Sequence, residues 1–346
     1  MNYFLNEFAS QGYNAATKAR QDIADVLLSE ELWTPIATER RCDEPGLAAK
    51  LGALRVNLKT WTEAVKLIGE GDCLLIQFPL AIYPKVALTS LPFISAIKSH
   101  GGKIVLLVHD LDNFRGEELP SSDDPYLKKA DVIIVHNKRM EDLVSKVCNA
   151  KVIPLGVFDY LADGELPPAV SGIDIAGNLS PIKAGYVYRA SKDLPDLPLN
   201  LYGANYDGRA GRAEWYRGKF LPQELSRHMT GKFGLVWDGD SLDTCSGDYG
   251  EYLRINSPHK LSLYLSLGKP VFIWSQAAEA PLVTENGVGV LVDSIFEVDE
   301  AYRSMSEDAY QLMRANALAL AEKVRGGWFT KGAVAAALKA LGMEGA

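Results

Sequence analysis

The chain has 346 residues, about two domains at roughly 150 residues each, which excludes disulfide miniproteins, peptides and collagen-like repeats. With 47% hydrophobic and 23% charged residues it has the composition of a packed globular protein. Subtracting 36 Lys and Arg from 44 Asp and Glu leaves −8, which gives nucleic acid or anionic lipid no general attraction, so an anionic ligand requires a local site.

The start, Met-Asn-Tyr-Phe-Leu-Asn-Glu, lacks the basic, apolar and small-residue pattern of a signal peptide, and a cytoplasmic location is expected. Apolar runs such as Ile104 to Val108 and Val132 to Val135 fall far short of the roughly 18 residues of a membrane span and read as buried strands. Cys42, Cys73, Cys148 and Cys245 form no C-x-x-C, so neither a zinc site nor a disulfide framework is indicated.

Apolar runs alternate with segments of helical period, the pattern of a parallel sheet flanked by helices. In the first half the strands are expected at Tyr3 to Asn6, Leu54 to Leu58, Cys73 to Phe78, Lys103 to His109, Asp131 to His136 and Lys151 to Pro154. Ala19, Ile23, Val26 and Leu27 make one apolar face of a helix from about Ala15 to Ser29. Phe158 to Gly172, with Pro167 and Pro168, reads as a linker. In the second half the strands are expected at Ile173 to Ala176, Leu199 to Tyr202, Phe233 to Trp237, Pro270 to Trp274 and Val288 to Val292. Helices are expected near Ser257 to Leu267 and Ala277 to Glu285, and the last 40 or so residues read as helical. Ligands of such sheets bind outside the carboxyl ends of the strands, and two sheets facing each other create a cleft between domains.

Between Asp248 and Val292, Ser257 suits an N-cap and Pro258 the first helical position. Lys260 then lies in the first turn, where a cation is disfavoured by about 0.3–1 kcal/mol unless an anion is present. Helix N–H groups, Asn256 and Lys260 could cradle a diphosphate; a lysine reaching solvent from an ordinary helix is the alternative. Gly177 to Lys183 follows a strand, and its Asn178 and Lys183 could meet uracil, ribose or phosphate, although turn chemistry explains the same residues. Tyr202, near a strand end, could stack on a base or pack. Asp238-Gly239-Asp240 has the form of a D-x-D metal site, but the two-halved pattern favours Asp238 and Gly239 binding sugar hydroxyls without a metal. In the first half His109-Asp110-Leu111-Asp112 ends a strand, where a carboxylate could act as general base and a His could bond a sugar oxygen; capping and backbone bonding are the alternatives. Gln77-Phe78-Pro79 and Asn14 to Lys18 occupy equivalent loops. The absence of G-x-G-x-x-G, G-x-x-x-x-G-K-[ST] and G-x-S-x-G argues against dinucleotide oxidoreductases, P-loop kinases and ordinary serine hydrolases.

The order GNLS…LYG…GLVWDG…CSGDYGEYLRINSPHKLSLYLSLGKPVFIWSQAA…ENGVGV resembles the bacterial two-domain (GT-B) glycosyltransferases that include the glucosyltransferase acting second on serine-rich adhesin glycoproteins. Galactofuranosyltransferases of O-antigen and capsule synthesis are similar. The resemblance is dense over Gly234 to Val292 and thinner in the first half. It implies an α/β fold of two Rossmann-like domains facing across a cleft: an acceptor-binding domain over 1–160, a nucleotide-sugar-binding domain over 171–325, and a C-terminal helix, 326–346, crossing back to the first. It implies hexosyl transfer, glucose or galactofuranose, from a UDP-sugar to a glycan or glycoprotein, with no cofactor or bound metal and with homo-oligomers. By that similarity Asn178, Lys183, Tyr202, Asp238, Gly239, Tyr249, Asn256 and Lys260 line the donor site. Thr17, Gln77 and His109 face the acceptor, and Asp110 is the candidate base of an inverting reaction. The competing class is a non-catalytic two-lobed sugar or nucleotide receptor.

Overall fold

The computed structural model describes residues 1–8, 15–39, 45–111, 124–208 and 211–343. Asn14, Cys42 and Asp112, singled out above, lie outside the described residues. The chain divides into two units: Met1–Tyr13, Thr17–Leu155 and Phe329–Ala346 fall in the first, and Asn14–Ala16, at the start of the first helix, with Gly156–Trp328 in the second.

The first unit carries β1 (Asn2–Phe8), α1 (Ala15–Ser29), β2 (Trp33–Glu39), α2 (Leu47–Leu67), β3 (Cys73–Phe78), α3 (Pro84–Ala87), α4 (Leu91–Ser99), β4 (Lys103–Val108), α5 (Asp124–Leu127), β5 (Val132–Val135), α6 (Lys138–Val144) and β6 (Lys151–Pro154). Its strands form one sheet in the order β2-β1-β3-β4-β5-β6, every neighbouring pair parallel. CLLIQF, KIVLLV and VIIV are near-continuous apolar runs because a parallel sheet between helices is covered on both faces. Asn137 caps α6, its side chain accepting from the Met140 N–H at 3.0 Å.

The structure corrects one strand. Leu54 to Leu58 lies inside α2, whose 21 residues bury Ala53, Asn57, Thr60, Trp61 and Ala64 at helical spacing. The sheet position next to β1 belongs to β2, which contains Pro35 and buries only Trp33 and Ile36 of its seven residues. Pro is tolerated there because β2 is an edge strand with one side unpaired.

The second unit comprises β7 (Ile173–Asn178), α7 (Pro181–Asp193), β8 (Leu199–Ala204), β9 (Tyr216–Gly218), α8 (Pro222–His228), β10 (Phe233–Val236), α9 (Gly247–Tyr252), α10 (His259–Ser266), β11 (Val271–Trp274), α11 (Ala280–Glu285), β12 (Gly289–Val292), α12 (Ile295–Ser304) and α13 (Glu307–Arg325). The strand order is β12-β11-β10-β7-β8-β9, again all parallel. Helix α14 (Trp328–Ala340) follows, with Phe329 onward in the first unit.

Two helix starts differ from the sequence reading. The N-cap of α10 is Pro258, extended at ψ 136°, and Ser257 precedes it; the Pro258 carbonyl takes the Leu261 N–H at 2.9 Å, so the helix begins one residue later. Helix α11 begins at Ala280 with Pro281 in its first turn, where the missing proline N–H costs nothing. Beneath this sheet Lys269 Nζ donates to Asp174 Oδ2 at 2.6 Å and to the carbonyls of Gly231 and Met229. Burial draws the Lys269 ammonium below its ordinary pKa and pushes the Asp174 carboxyl above its own.

Candidate functional site

In the second unit the chemistry gathers at the carboxyl ends of β7 and β10. Strand β7 ends in Gly177-Asn178, and Gly177 pairs with Gly203 of β8. Gly203 has φ 153°, and a Cβ there would lie 1.7 Å from the Gly177 carbonyl oxygen, so only glycine permits this approach. Beyond it Asn178 Oδ1 accepts from the Ser180 N–H and from Asn205 Nδ2, both at 3.0 Å. The turn so fixed starts α7, with Pro181 in its first turn.

Helix α7 is docked on the loop after β10. The Gly239 N–H donates to the Lys183 carbonyl at 2.8 Å, and the Tyr186 N–H donates to the Gly239 carbonyl at 3.1 Å. Gly239 has φ 110°, and a Cβ there would meet the Ser246 carbonyl at 2.3 Å. Ser246 Oγ accepts from the Asp240 and Ser241 N–H groups and donates to Asp240 Oδ1. These bonds hold Asp238 at 6% side-chain exposure, with Oδ1 accepting from Lys260 Nζ at 2.8 Å. Lys260 Nζ also donates to the Trp237 carbonyl at 3.0 Å.

The anion that a first-turn lysine requires is therefore present in the chain itself, and it is Asp238. Asp240 turns elsewhere, accepting from Arg189 Nη2 at 2.7 Å. The two carboxylates of the D-x-D pattern thus serve different cations. Lys183 Nζ stands 5.0 Å from the centre of the exposed Tyr249 ring, a cation–π distance. Asn256, just before α10, has its Oδ1 shielded from solvent without a hydrogen-bond partner, which leaves an acceptor unused beside the lysine-bearing helix start.

Asn178, Lys183, Asp238, Gly239, Tyr249, Asn256 and Lys260 accordingly belong to one connected set of loops and helix starts. Tyr202 is placed differently: its ring is 1% exposed and its hydroxyl donates to the His228 carbonyl at 2.9 Å. Of the two roles open to it, packing is the one seen. The Gly239 N–H is likewise spent on Lys183.

In the first unit, His109 Nε2 and Gln77 Oε1 are 2.8 Å apart, joining the ends of β4 and β3. Gln77 Nε2 donates to the Arg20 carbonyl and Arg20 Nη1 donates to the Gln77 carbonyl, each at 3.2 Å. Arg20 also bonds Glu7 and the carbonyl of Pro79, which follows a cis peptide bond. Glu7 Oε1 accepts from the Ala81 N–H at 2.6 Å. Thr17 is buried one turn before Arg20 on α1, and Asp110 is half-buried after His109. Glu7 and Arg20 escaped the sequence reading. Their signal was a charge at the end of the apolar first strand and another inside the helix after it, a pairing that becomes specific only once β1 and β3 are adjacent.

Two parallel six-stranded α/β units carrying polar clusters at the carboxyl ends of their strands define the GT-B class of glycosyltransferases. Models of the glucosyltransferase 3-like N-terminal and C-terminal domains match residues 1–157 and 173–337. The beta-1,6-galactofuranosyltransferase WbbI of Escherichia coli (strain K12) is 33% identical over 94% of this chain and 94% of its own. Glucosyltransferase 3 of Streptococcus gordonii is 25% identical over 76% of this chain and 78% of its own. A solved glycosyltransferase of Rickettsia africae ESF-5 shares the fold at TM-score 0.60 and 9% identity, with 99% of each chain covered. The chain belongs to the glucosyltransferase 3-like family and is a glycosyltransferase, which removes the receptor reading. No helix among the described residues is long and apolar enough to cross a membrane.

Proposed function

We propose that this chain moves a hexosyl group, glucose or galactofuranose, from a UDP-sugar to a glycan or glycoprotein acceptor in the cytoplasm, as a homo-oligomer and without a resident metal. The observation that carries the reading is the Lys260 ammonium held at the first turn of α10 by Asp238 and the Trp237 carbonyl. An incoming diphosphate competes with the Asp238 carboxylate for that ammonium and gains the helix N–H groups besides. Lys260 then stabilises the UDP that departs when the glycosidic bond breaks. Asp238, released, accepts from a sugar hydroxyl, and Lys183, Tyr249, Asn178 and Asn256 line the remainder of the donor site. WbbI and glucosyltransferase 3 supply the two candidate sugars by their names.

The first unit supplies the acceptor side. Thr17, Gln77 and His109 face the acceptor, and Asp110 takes the proton of its attacking hydroxyl if the reaction inverts. The experiment is UDP titration into wild type and Lys260→Ala, alongside UDP release from UDP-glucose and UDP-galactofuranose with acceptor. Loss of most UDP affinity in the variant is expected; near-normal titration there overturns the reading. Chelation leaves the rate unchanged, and a rate abolished by chelator and restored by a divalent ion would reinstate a metal.

A further inference from the structure

Helix α2 reverses the usual pattern of a surface helix. Its buried stripe, Ala53, Asn57, Thr60, Trp61 and Ala64, is small or polar apart from Trp61. Asn57 Nδ2 donates to the Val86 carbonyl and to Thr89 Oγ1, and its Oδ1 accepts from Trp61 Nε1 at 3.0 Å. The leucines lie outside: Leu47 is 74% exposed, and Leu51, Leu58 and Leu67 are exposed with it. Leu88, beside the Thr89 that Asn57 holds, is exposed too.

The same helix carries Lys50, Arg55, Lys59 and Lys66 against one acid, Glu63, hence four minus one, or +3, in a chain of −8. All four cations are exposed. Leu58, Lys59, Thr62, Glu63 and Lys66 border a shallow open groove of about 430 Å³. Exposed leucines interleaved with cations match one kind of surface, a bilayer whose anionic headgroups overlie its acyl chains. Lysine and arginine stems reach up to phosphate while leucines enter the acyl boundary. A second copy of this face is disfavoured, because it would bring four cations against four.

We propose that α2 is a docking face for a membrane surface containing anionic phospholipid, with the helix, roughly 32 Å long at 1.5 Å per residue, lying flat on it. The inference goes beyond the donor chemistry, since it concerns one helix of the first unit. It also reconciles the acidic whole with an acidic partner: the attraction is local to α2 and short-ranged at physiological salt.

The test is sedimentation of the full chain with vesicles of phosphatidylcholine alone or mixed with phosphatidylglycerol. The wild type pellets with the mixed vesicles at low salt and is released by high salt. A Lys50→Glu/Lys59→Glu/Lys66→Glu variant loses at least about tenfold in vesicle affinity. Leu47→Ser/Leu51→Ser/Leu58→Ser loses binding as well, and both variants keep the wild-type circular dichroism because every changed side chain is exposed. No pelleting with either vesicle, equal pelleting with both, or wild-type binding by the charge-reversed variant overturns the proposal. So does a concentration-dependent dimer that the serine variant disperses while vesicles recruit no protein.

Discussion

Two lysine–aspartate pairs in the second unit have similar lengths and different duties. Lys269 and Asp174 are 1% and 0% exposed in their side chains, and Asp174 also accepts from Asn200 Nδ2 and the Gly231 N–H. Removing the cation strands a buried carboxylate. Lys269→Met is therefore expected to cost about 3–5 kcal/mol of stability, seen as a lower urea midpoint without a specific loss of nucleotide affinity in the protein that stays folded. Lys260→Met strands the buried Asp238 carboxylate in the same way, so it is expected to lower the urea midpoint too, and on the proposed reading it alone of the two also loses UDP affinity in titration. Sequence reasoning reached Lys260 through the helix start around Pro258. The ion pair with Asp238 was not legible, since the chain gives no cue that Lys260, 22 residues later, returns to it. Lys269 gave no signal at all: a lysine after a glycine looks like any turn until the strands above it are assembled.

A pH prediction also belongs to single residues. Burial pushes the Cys73 thiol from its ordinary 9.0 up to about 12 and the Tyr126 phenol from 10.0 up to about 12. Each keeps its proton longer folded than unfolded, so the folded chain's advantage is full below the unfolded value and is lost as pH rises toward the folded one. Stability is expected to fall from about pH 9 upward, at no more than about 1.4 kcal/mol per pH unit for each group. Urea midpoints across that range should show a steeper decline in wild type than in Cys73→Ala. Parallel declines would remove the thiol from the account.

At the level of elements, strands buried on both faces were legible and the edge was not. CLLIQF and KIVLLV can hardly be anything else once their length is set against that of a helix. Leu54-Arg55-Val56-Asn57-Leu58 alternates like a strand but lies in a helix, because the partners of α2 are reached through Ala53, Asn57 and Trp61 and its leucines are left over. Trp33 to Glu39 hides as a strand because an edge needs little apolar content and tolerates Pro35. The loops at the carboxyl ends of β7 and β10 were read largely as they stand, since Gly, Asn, Ser and Pro at strand ends state their own geometry. The docking of α7 on the Asp238 loop was not, because it runs through backbone groups of Lys183, Tyr186 and Gly239. The tightest joint is Gly203 against Gly177. Gly203→Ala is expected to separate the ends of β7 and β8 at a cost of about 3 kcal/mol or more, with faster amide exchange at Leu179, which donates to Ala204 at 2.8 Å. Unchanged exchange there would show that the strands absorb the methyl group.

For the whole molecule, the expectation that the last helix crosses back to the first domain came from the family resemblance alone, since helical periodicity says nothing about which sheet a helix joins. Phe329 onward falls with β1 to β6 in the first unit, where Lys331 Nζ pairs with Glu30 at 2.9 Å and α14 buries Thr330, Ala333, Val334, Ala337 and Leu338. Val334 and Leu338 alone are worth about 3 kcal/mol or more. Ending the chain at Trp328 is expected to speed hydrogen exchange across β1 to β6 while leaving β7 to β12 near wild type; equal acceleration in both sheets would contradict that assignment. The division has a further consequence for synthesis. A ribosome delivers every residue from Gly156 to Trp328 before it delivers the rest of α14, so the second unit can close during translation while the first, begun earlier, still waits for its last helix. The lobe born first is thus the lobe finished last.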